Sequence, residues 1–186
     1  DRMCVVKLKL TRDIYCYIIA IYMPHQSCKI ANYEDEVMIL EKVIVECMKD
    51  GSIVVIGDGN ISLSKEYGCR GSDTSSRYTK VLMNMFKKYD IVCADLQYGS
   101  GPCYTYEKAG NRTYIDHSFI SRDLVDHLSS CSVIEDTVQN VSDHLPIDIS
   151  LRTDINISLK SNSQKKRVAW SKLNPPEIEK RNTSCL

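Results

Sequence analysis

The sequence of 186 residues has no long hydrophobic run, no excess of either charge and no closely spaced pair of cysteines. Its longest apolar stretch, residues 14–23, has ten residues and includes three tyrosines. A transmembrane helix needs about 20 apolar residues, so we expect no membrane partner. No secretory signal pattern precedes this stretch.

The nine cysteines are odd in number and scattered, and no two have the CxxC spacing typical of zinc sites. Several lie inside apolar runs, where a cysteine behaves as a small buried hydrophobe. This usage favours reduced thiols in an intracellular protein, nuclear or cytoplasmic, over a disulfide framework.

Zero net charge gives no overall sign of a nucleic-acid partner, but the charge is unevenly placed. Residues 157–186 carry seven Lys or Arg against two Glu, so the rest of the chain is net acidic. If this acidic part meets a polyanion, we expect it to do so through a metal ion and local contacts.

Hydrophobic patterning predicts strands alternating with helices over residues 1–151, which is typical of an α/β domain. A hairpin opens the chain, and Pro24 ends its second, more central strand. The predicted helices cover residues 32–50, a segment capped by Asp73, and residues 123–128; the strands cover residues 3–10, 14–23, 53–56, 91–96, 113–120, 131–134 and 146–151, with a second hairpin across 109–111. Residues 152–186 are predicted to be a basic polar linker or the start of a further region.

The buried run Ile53–Ile56 stops abruptly at a polar segment that contains Asp58 and Asn60. Residues two apart in an extended chain point the same way, so these two side chains would share one face. A carboxylate beside a carboxamide suits metal-bound water and phosphate, because only the carboxylate can take a proton. Taken alone, however, the segment is more readily interpreted as a turn.

Two more strand ends carry groups that can move or hold protons. Asp116 lies in an alternating strand, where an internal carboxylate needs a partner unless it is on the rim of the sheet. Asp143 and His144 place an acid and a titratable base directly before the last strand. Such a pair is also common on protein surfaces.

Three further residues are candidates for contacts with phosphate. Tyr22 is the last large residue before Pro24 and either points into a site at the strand end or lies on the sheet rim. Lys108 and Arg112 flank the tip of the second hairpin. They could contact a phosphate backbone or be only solvated.

The segments IYMPHQS, GDGN, TYEK…TYIDHSFIS and SDHLPI resemble, in this order, the motifs of the endonuclease/exonuclease/phosphatase superfamily. Within it the chain is most similar to the apurinic-type endonuclease domain of non-LTR (LINE-type) retrotransposons, over about residues 1–151. The tail RVAWSKLNPPEIEK is similar to the connector that leads into the reverse transcriptase in such elements. The resemblance implies a four-layer α/β/β/α sandwich that lacks its first strands, and DNA cleavage with Mg²⁺ or Mn²⁺ and no small-molecule cofactor.

The resemblance also implies the roles of four central residues. Asp58 would be the general base or water-orienting carboxylate, and Asn60 would hold phosphate, water and metal. His144 would bond a non-bridging phosphate oxygen. Asp116 would orient that imidazole, fix its tautomer and raise its basicity.

Further roles follow from the same motif positions. Tyr22 would contact the phosphate, and Asp143 would help Asp58 and Asn60 to bind the metal ion. Ser142 would brace the loop before His144. The expected DNA contacts are Thr105, Lys108 and Arg112.

Two departures from the family pattern lead to further expectations. The family begins with strands that contribute an Asn and a metal-binding Glu, whereas this chain begins after both, with Asp1 and Asp13 its only acids before Tyr22. We therefore expect Mg²⁺ binding to be nearly abolished, sheet edges to be unpaired and the isolated chain not to nick DNA. The bulky apolar residue usual inside the GDGN motif is Gly59 here, at a cost of about 3–5 kcal/mol if the position is buried.

Three functions remain open on the sequence. The first is a metal-dependent DNA endonuclease domain of a retrotransposon-type protein. The second is a degenerate fragment of such a domain without catalysis, and the third is a phosphoesterase of the same superfamily with another substrate.

Overall fold

The structure, a computed structural model, describes residues 2–10, 15–135 and 140–152. Nine strands and three α-helices are formed by these residues, in the order β1 Met3–Lys9, β2 Tyr15–Tyr22, α1 Ile30–Cys47, β3 Gly51–Asp58, α2 Arg77–Lys88, β4 Ile91–Cys93, α3 Ala94–Tyr98, β5 Tyr106–Lys108, β6 Asn111–Thr113, β7 Asp116–Ser121, β8 Leu128–Val133 and β9 Ile147–Leu151. Short 3₁₀ segments lie at Lys65–Tyr67 and Arg122–His127. The predicted linker, apart from Arg152, lies outside the described residues.

The central sheet has five strands in the order β1-β2-β3-β7-β4. Strands β1 and β2 form the predicted antiparallel hairpin, and β2 runs parallel to β3 because α1 carries the chain back between them. Strand β7 then pairs antiparallel with both β3 and β4. As a result β2 and β3 end, and β7 begins, at the same edge of the sheet.

Helices α1 and α2 cover one face of this sheet. Apolar residues recur at helical spacing along α1 and bury its inner side, including Val37, Leu40 and Ile44. The ring of Phe86 on α2 lies 4.2 Å from that of Phe119 on β7, centroid to centroid. The largest core cluster therefore lies between the helices and the sheet.

The other face of the central sheet packs against the two-stranded sheet β8–β9. The side chains at this second interface come from both sheets and form a smaller cluster, which includes Cys16, Val54, Val92, Ile120, Cys131 and Ile149. Helices, central sheet and second sheet thus lie in successive layers. The predicted α/β sandwich class is confirmed.

Several predicted boundaries differ from the structure. The predicted strand 113–120 is divided between β6 and β7, and the predicted helix 123–128 is the 3₁₀ segment Arg122–His127. Strand β4 ends at Cys93 rather than Leu96, because the chain turns into α3 and brings Asp95 inward to accept a 2.7 Å bond from the Ser118 N–H. Helix α1 ends at Cys47 and not at residue 50. Helix α2 is capped by Ser76, whose hydroxyl accepts from the N–H of Thr79, and not by Asp73.

Strand β1 is one of the two outer strands of the central sheet, and β4 is the other. Its residues are mostly exposed, and the large apolar side chains of Val5, Val6 and Leu8 are among them. An outer strand of this kind presents backbone N–H and C=O groups without a partner strand.

Among the described residues, no helix combines the length and the hydropathy needed to cross a membrane. The cysteines of the described residues are all free, and four of them, Cys16, Cys47, Cys93 and Cys131, are buried. Burial raises the pKa of each of these four thiols, which keeps them in the uncharged form.

Gly59 is buried, which is the condition under which we expected glycine at this position to destabilise the fold strongly. However, a Cβ placed there would lie 3.4 Å from both the Ile115 carbonyl oxygen and Ile61 Cγ1, and 3.6 Å from His117 Cδ2. Neighbouring atoms therefore fill the space around this position, and a methyl group would just reach van der Waals contact with them. This contact does not support the expected loss of 3–5 kcal/mol, which assumed an emptied cavity.

We expect Gly59→Ala to raise the free energy of unfolding by about 0.4–1 kcal/mol, because it restricts the unfolded chain and its methyl group fits. Gly57→Ala is the matched control. Its φ of +139° and a Cβ only 2.2 Å from the Ile21 carbonyl oxygen make that change destabilising. Urea unfolding of both variants measures the difference, and a destabilised Gly59→Ala would contradict the prediction.

Candidate active site

The strand register brings three predicted residues to one edge of the central sheet. Tyr22, the last residue of β2, lies opposite Asp58, the last residue of β3. Asp58 in turn lies opposite Asp116, the first residue of β7. Residues separated by more than thirty positions in the sequence are thereby placed side by side.

His144 reaches this edge from the segment before β9. Its Nδ1 lies 2.9 Å from Asp116 Oδ2, and both side chains are partly buried. The backbone N–H of His144 donates to Ser142 Oγ at 3.0 Å, and the ring of Tyr106 lies 4.8 Å from the imidazole. The imidazole is therefore oriented by a carboxylate on one side and an aromatic ring on another.

Asn60 follows β3 in the left-handed backbone conformation, with a φ of 50°. Its backbone N–H donates to Asp58 Oδ1 at 2.8 Å, and its Nδ2 donates to Asp58 Oδ2 at 3.1 Å and to the Met23 carbonyl at 2.8 Å. The carboxamide oxygen of Asn60 accepts no hydrogen bond from the described residues. That oxygen and the Asp58 carboxylate are available to a ligand.

Ligand atoms of Asp58, Asp116 and His144 all lie within 4.8 Å of one another and form a candidate metal group. Oxygen ligands from Asp58 and Asn60 suit Mg²⁺ or Mn²⁺, which prefer carboxylate and carbonyl oxygen. Asp116 already accepts from His144, so it is less available to an ion. The donors fit a hard divalent cation, but they supply fewer oxygens than the six that it takes.

Asp143 does not belong to this group. Its side chain is exposed, and its carbonyl accepts from the N–H of Glu107 at 2.9 Å, which ties the loop to the second hairpin. The structure thus places Asp143 beside the site, and its role as a metal ligand stays a prediction.

Thr105 is fully buried, in contrast to the expected DNA contact. Its hydroxyl accepts from the N–H groups of Ile115 and Asp116 at 3.0 and 2.9 Å, and its carbonyl accepts from the N–H of Leu145 at 2.7 Å. In this position it fixes the backbone on either side of the Asp116–His144 pair. A threonine before a hairpin gives no sign in the sequence of which way it points.

The remaining predicted contacts are on the surface. Tyr22 is 57% exposed, and the Arg2 guanidinium lies 5.3 Å from its ring centroid. Arg112 pairs with Glu107 at 2.7 Å and lies over the ring of Tyr104 at 4.3 Å. Lys108 is exposed and forms no ion pair with the described residues, so it is the freer of the two hairpin cations.

Burial raises the pKa of the Asp58 carboxyl above its ordinary value, and the neighbouring charge of Asp116 adds to this. The hydrogen bond from Asn60 and the imidazoles of His144 and His117 act in the opposite direction. A carboxylate with a raised pKa is a better proton acceptor, which suits a residue that activates water.

Sequence analysis missed a buried polar group directly behind the site. Cys93, Asp95 and His117 are almost fully buried and have ligand atoms within 4.8 Å of one another. His117 Nδ1 lies 3.0 Å from Asp95 Oδ2, and the Cys93 thiol donates to Asp95 Oδ1 at 3.3 Å. The available signal was the position of Asp95 and His117 inside the apolar segments IVCADL and IDHSFI.

No family model matches the sequence, and no curated protein matches it. Among solved structures, similar folds include the endonuclease domain of TRAS1, a telomere-specific non-LTR retrotransposon, at 20% identity and a TM-score of 0.61, covering 82% of this chain and 62% of that one. The 3′ phosphatase NExo from Neisseria, bound to product DNA hairpin, is similar at 19% identity and a TM-score of 0.65. The match covers 81% of this chain and 65% of that one. The AP endonuclease LMAP from Leishmania major is similar at 12% identity and a TM-score of 0.62. The match covers 81% of this chain and 54% of that one.

At these low identities the structural similarity shows the fold alone, which is that of endonuclease/exonuclease/phosphatase proteins. The predicted resemblance to a non-LTR endonuclease domain is confirmed at this level. The chain spans less than two thirds of the length of each of the three structures.

We expect Asp116→Asn to lower the pKa of Asp58, because it removes a neighbouring negative charge, and His144→Ala to raise it. Since the pKa of folded Asp58 is raised, its ionisation lowers the free energy of unfolding, and that loss disappears as pH falls through the pKa. An NMR titration of the Asp58 carboxyl carbon measures these shifts. Asp73→Asn, at an exposed carboxylate, is the control that leaves the titration unchanged.

Proposed function

We propose that Asp58, Asn60, Asp116 and His144 form the phosphodiester-hydrolysing site of a metal-dependent DNA endonuclease domain of the retrotransposon type. The observation that carries this proposal is the Asp116–His144 pair, at 2.9 Å, placed by the strand register beside Asp58. A general base and an oriented imidazole at one strand edge match the needs of phosphodiester hydrolysis.

Each residue has a defined task in such a reaction. Asp116 accepts the Nδ1–H of His144, and in the imidazolium form the Nε2–H is then the donor to a non-bridging phosphate oxygen. Asp58, with its raised pKa, takes a proton from the attacking water. The side chain of Asn60 is held against Asp58 with its oxygen free to bind.

Mg²⁺ or Mn²⁺, when bound, would neutralise charge at the phosphate and lower the pKa of water. Asp58 and the Asn60 carboxamide oxygen are the residues that would hold it. With one carboxylate not engaged by His144, the described site binds such an ion weakly. Weak metal binding supports the alternative that the isolated chain is a degenerate fragment, which at most binds a partner and does not cleave DNA.

DNA is the proposed substrate for two reasons. One structural neighbour is bound to a DNA hairpin, and another is described as a retrotransposon endonuclease domain. The second hairpin, β5–β6, lies beside the site, since Tyr106 contacts His144, and it carries the exposed Lys108. A phosphatase for sugar phosphates also shares the fold, so substrate choice is part of the test.

The metal site can be tested without turnover, by adding Mn²⁺ to ¹⁵N-labelled protein and following NMR line broadening. We expect the amide signals of Asp58, Asn60 and His144 to broaden first, because the candidate ligands surround them. Asp58→Asn should weaken this effect, while the exposed control Asp73→Asn should not. Broadening centred elsewhere, or unchanged in Asp58→Asn, would contradict the proposed site.

A nicking assay on supercoiled plasmid then addresses catalysis. We expect the 186-residue chain to leave the plasmid intact with Mg²⁺, because the site has too few oxygen ligands. Mg²⁺-dependent nicking that is lost in Asp58→Ala would show that the residues of this chain suffice. Release of phosphate from mannose 6-phosphate instead would favour the phosphatase alternative.

We expect Lys108→Ala to weaken binding to a short duplex and to reduce the salt slope of log K by about one, because one phosphate contact is lost. Fluorescence anisotropy at several salt concentrations measures both. Lys49→Ala, which removes an exposed lysine paired with Glu46 just beyond α1, is the control. An unchanged slope for Lys108→Ala would exclude the hairpin from the DNA interface.

A further inference from the structure

The turn after β3 has an unusual set of hydrogen bonds. The carbonyls of three successive residues, Gly59, Asn60 and Ile61, each accept a hydrogen bond from a side chain. The donors are Tyr33 Oη at 3.1 Å, Gln26 Nε2 at 3.0 Å and His117 Nε2 at 3.0 Å. They come from helix α1, the loop before it and strand β7, respectively.

We propose that Tyr33, Gln26 and His117 are positioning residues that hold this turn and thereby set the Asn60 carboxamide for metal and phosphate binding. None of the three is among the residues expected to touch metal or DNA. The proposal rests on the proposed function for its metal readout, but the conformation of the turn can be measured separately.

The turn requires such support because residues 59–61 are buried, so their carbonyls cannot rely on bulk water. Asn60 itself has a φ of 50°, a left-handed conformation that Asn adopts more readily than most residues. A buried carbonyl without a partner destabilises the folded state. Three side-chain donors at this place therefore decide which backbone conformation is stable.

Tyr33 is fully buried on α1, with its ring edge-on to Tyr78 at 5.3 Å. Burial raises the pKa of its hydroxyl, which remains protonated and therefore able to donate to Gly59. The ring is fixed by the core on one side and by Tyr78 on another. Its hydroxyl is thus a rigid donor rather than an adaptable one.

His117 is also fully buried, and each of its ring nitrogens faces an oxygen acceptor. Nε2 faces the Ile61 carbonyl and Nδ1 faces Asp95 Oδ2, both at 3.0 Å. Because the Ile61 carbonyl has no proton to offer, Nε2 is the donor in that contact, and Nδ1 is held by the Asp95 carboxyl. Burial would raise the pKa of Asp95, but His117 and the Ser118 N–H together lower it, which keeps the carboxylate charged.

Asp95 is in turn fixed by strand β7, since it accepts from both the N–H and the hydroxyl of Ser118. The chain of contacts therefore runs from Asp95 through His117 to the Ile61 carbonyl. It ends one residue after Asn60. The site is supported from behind by the buried Asp95–His117 pair and from the helix side by Tyr33.

The decisive variant is Tyr33→Phe, which removes the hydroxyl and keeps the ring in the core. Tyr78→Phe is the matched control. The Tyr78 hydroxyl also donates to a partly buried backbone carbonyl, that of Cys28 at 2.7 Å, but this carbonyl lies outside the turn. Thermal unfolding should show a similar loss of stability in both variants. Only Tyr33→Phe should alter the turn.

Two readouts are measured at a temperature where both variants are folded. The first is the φ-dependent ³J coupling and the hydrogen exchange of Asn60, which report the turn without any metal. The second is Mn²⁺ affinity from NMR broadening. Tyr33→Phe should change the first and weaken the second roughly fivefold, the value of one hydrogen bond of about 1 kcal/mol.

Gln26→Met provides a second variant at a less buried position, where failure to fold is not a concern. It removes the donor to the Asn60 carbonyl with little change of shape, and it should shift the same two readouts. Gln97→Met, on the exposed side of α3, is its control.

An unchanged Asn60 coupling and exchange in both Tyr33→Phe and Gln26→Met would overturn the positioning role, as would equal changes in Tyr78→Phe. A changed turn in a protein that shows no site-centred Mn²⁺ binding would keep the positioning role and reject the proposed function.

Discussion

The antiparallel pairing of β3 with β7 is the contact on which both core and site depend. In its middle, Val55 lies opposite Phe119, and these buried residues join the sheet to the helix layer. At its end, Asp58 lies opposite Asp116, so the same ladder that fixes the core also fixes the distance between two carboxylates. A shift of one residue would turn every side chain of β7 to the other face. Core packing therefore enforces the register of the site.

Two kinds of residue make up the site. Asp58, Asn60 and His144 present atoms to a ligand, whereas the buried side chain of Thr105 bonds only to backbone N–H groups, and that of His117 to a backbone carbonyl and to Asp95. The second kind is costly to bury without partners, but the described structure satisfies these groups. Such saturation makes the backbone at the strand ends stiff where a metal ion and a phosphate would be bound.

Much of the fold and of the site was predictable from the sequence, because local patterns determine it. The pattern of apolar residues predicted α1, the first hairpin and the buried strand β3. The resemblance in motif order implied that Asp116 lies beside His144. What failed depends on long-range contacts: Thr105 points inward because Ile115 and Asp116 need an acceptor. Ser76 replaces Asp73 as the cap because its hydroxyl lies within reach of the helix N–H groups. These preferences are set by tertiary structure and leave little trace in composition.

The site is spread along the chain in a way that matters during synthesis. Asp58 emerges from the ribosome well before Asp116, and His144 follows later still. Strand β3 can pair with β2 early, but its other neighbour, β7, does not yet exist. A nascent chain therefore carries the aspartate without its imidazole partner, and the complete group arises only after nearly all of the domain has been made. The order of translation alone therefore leaves the unfinished polypeptide without an assembled site.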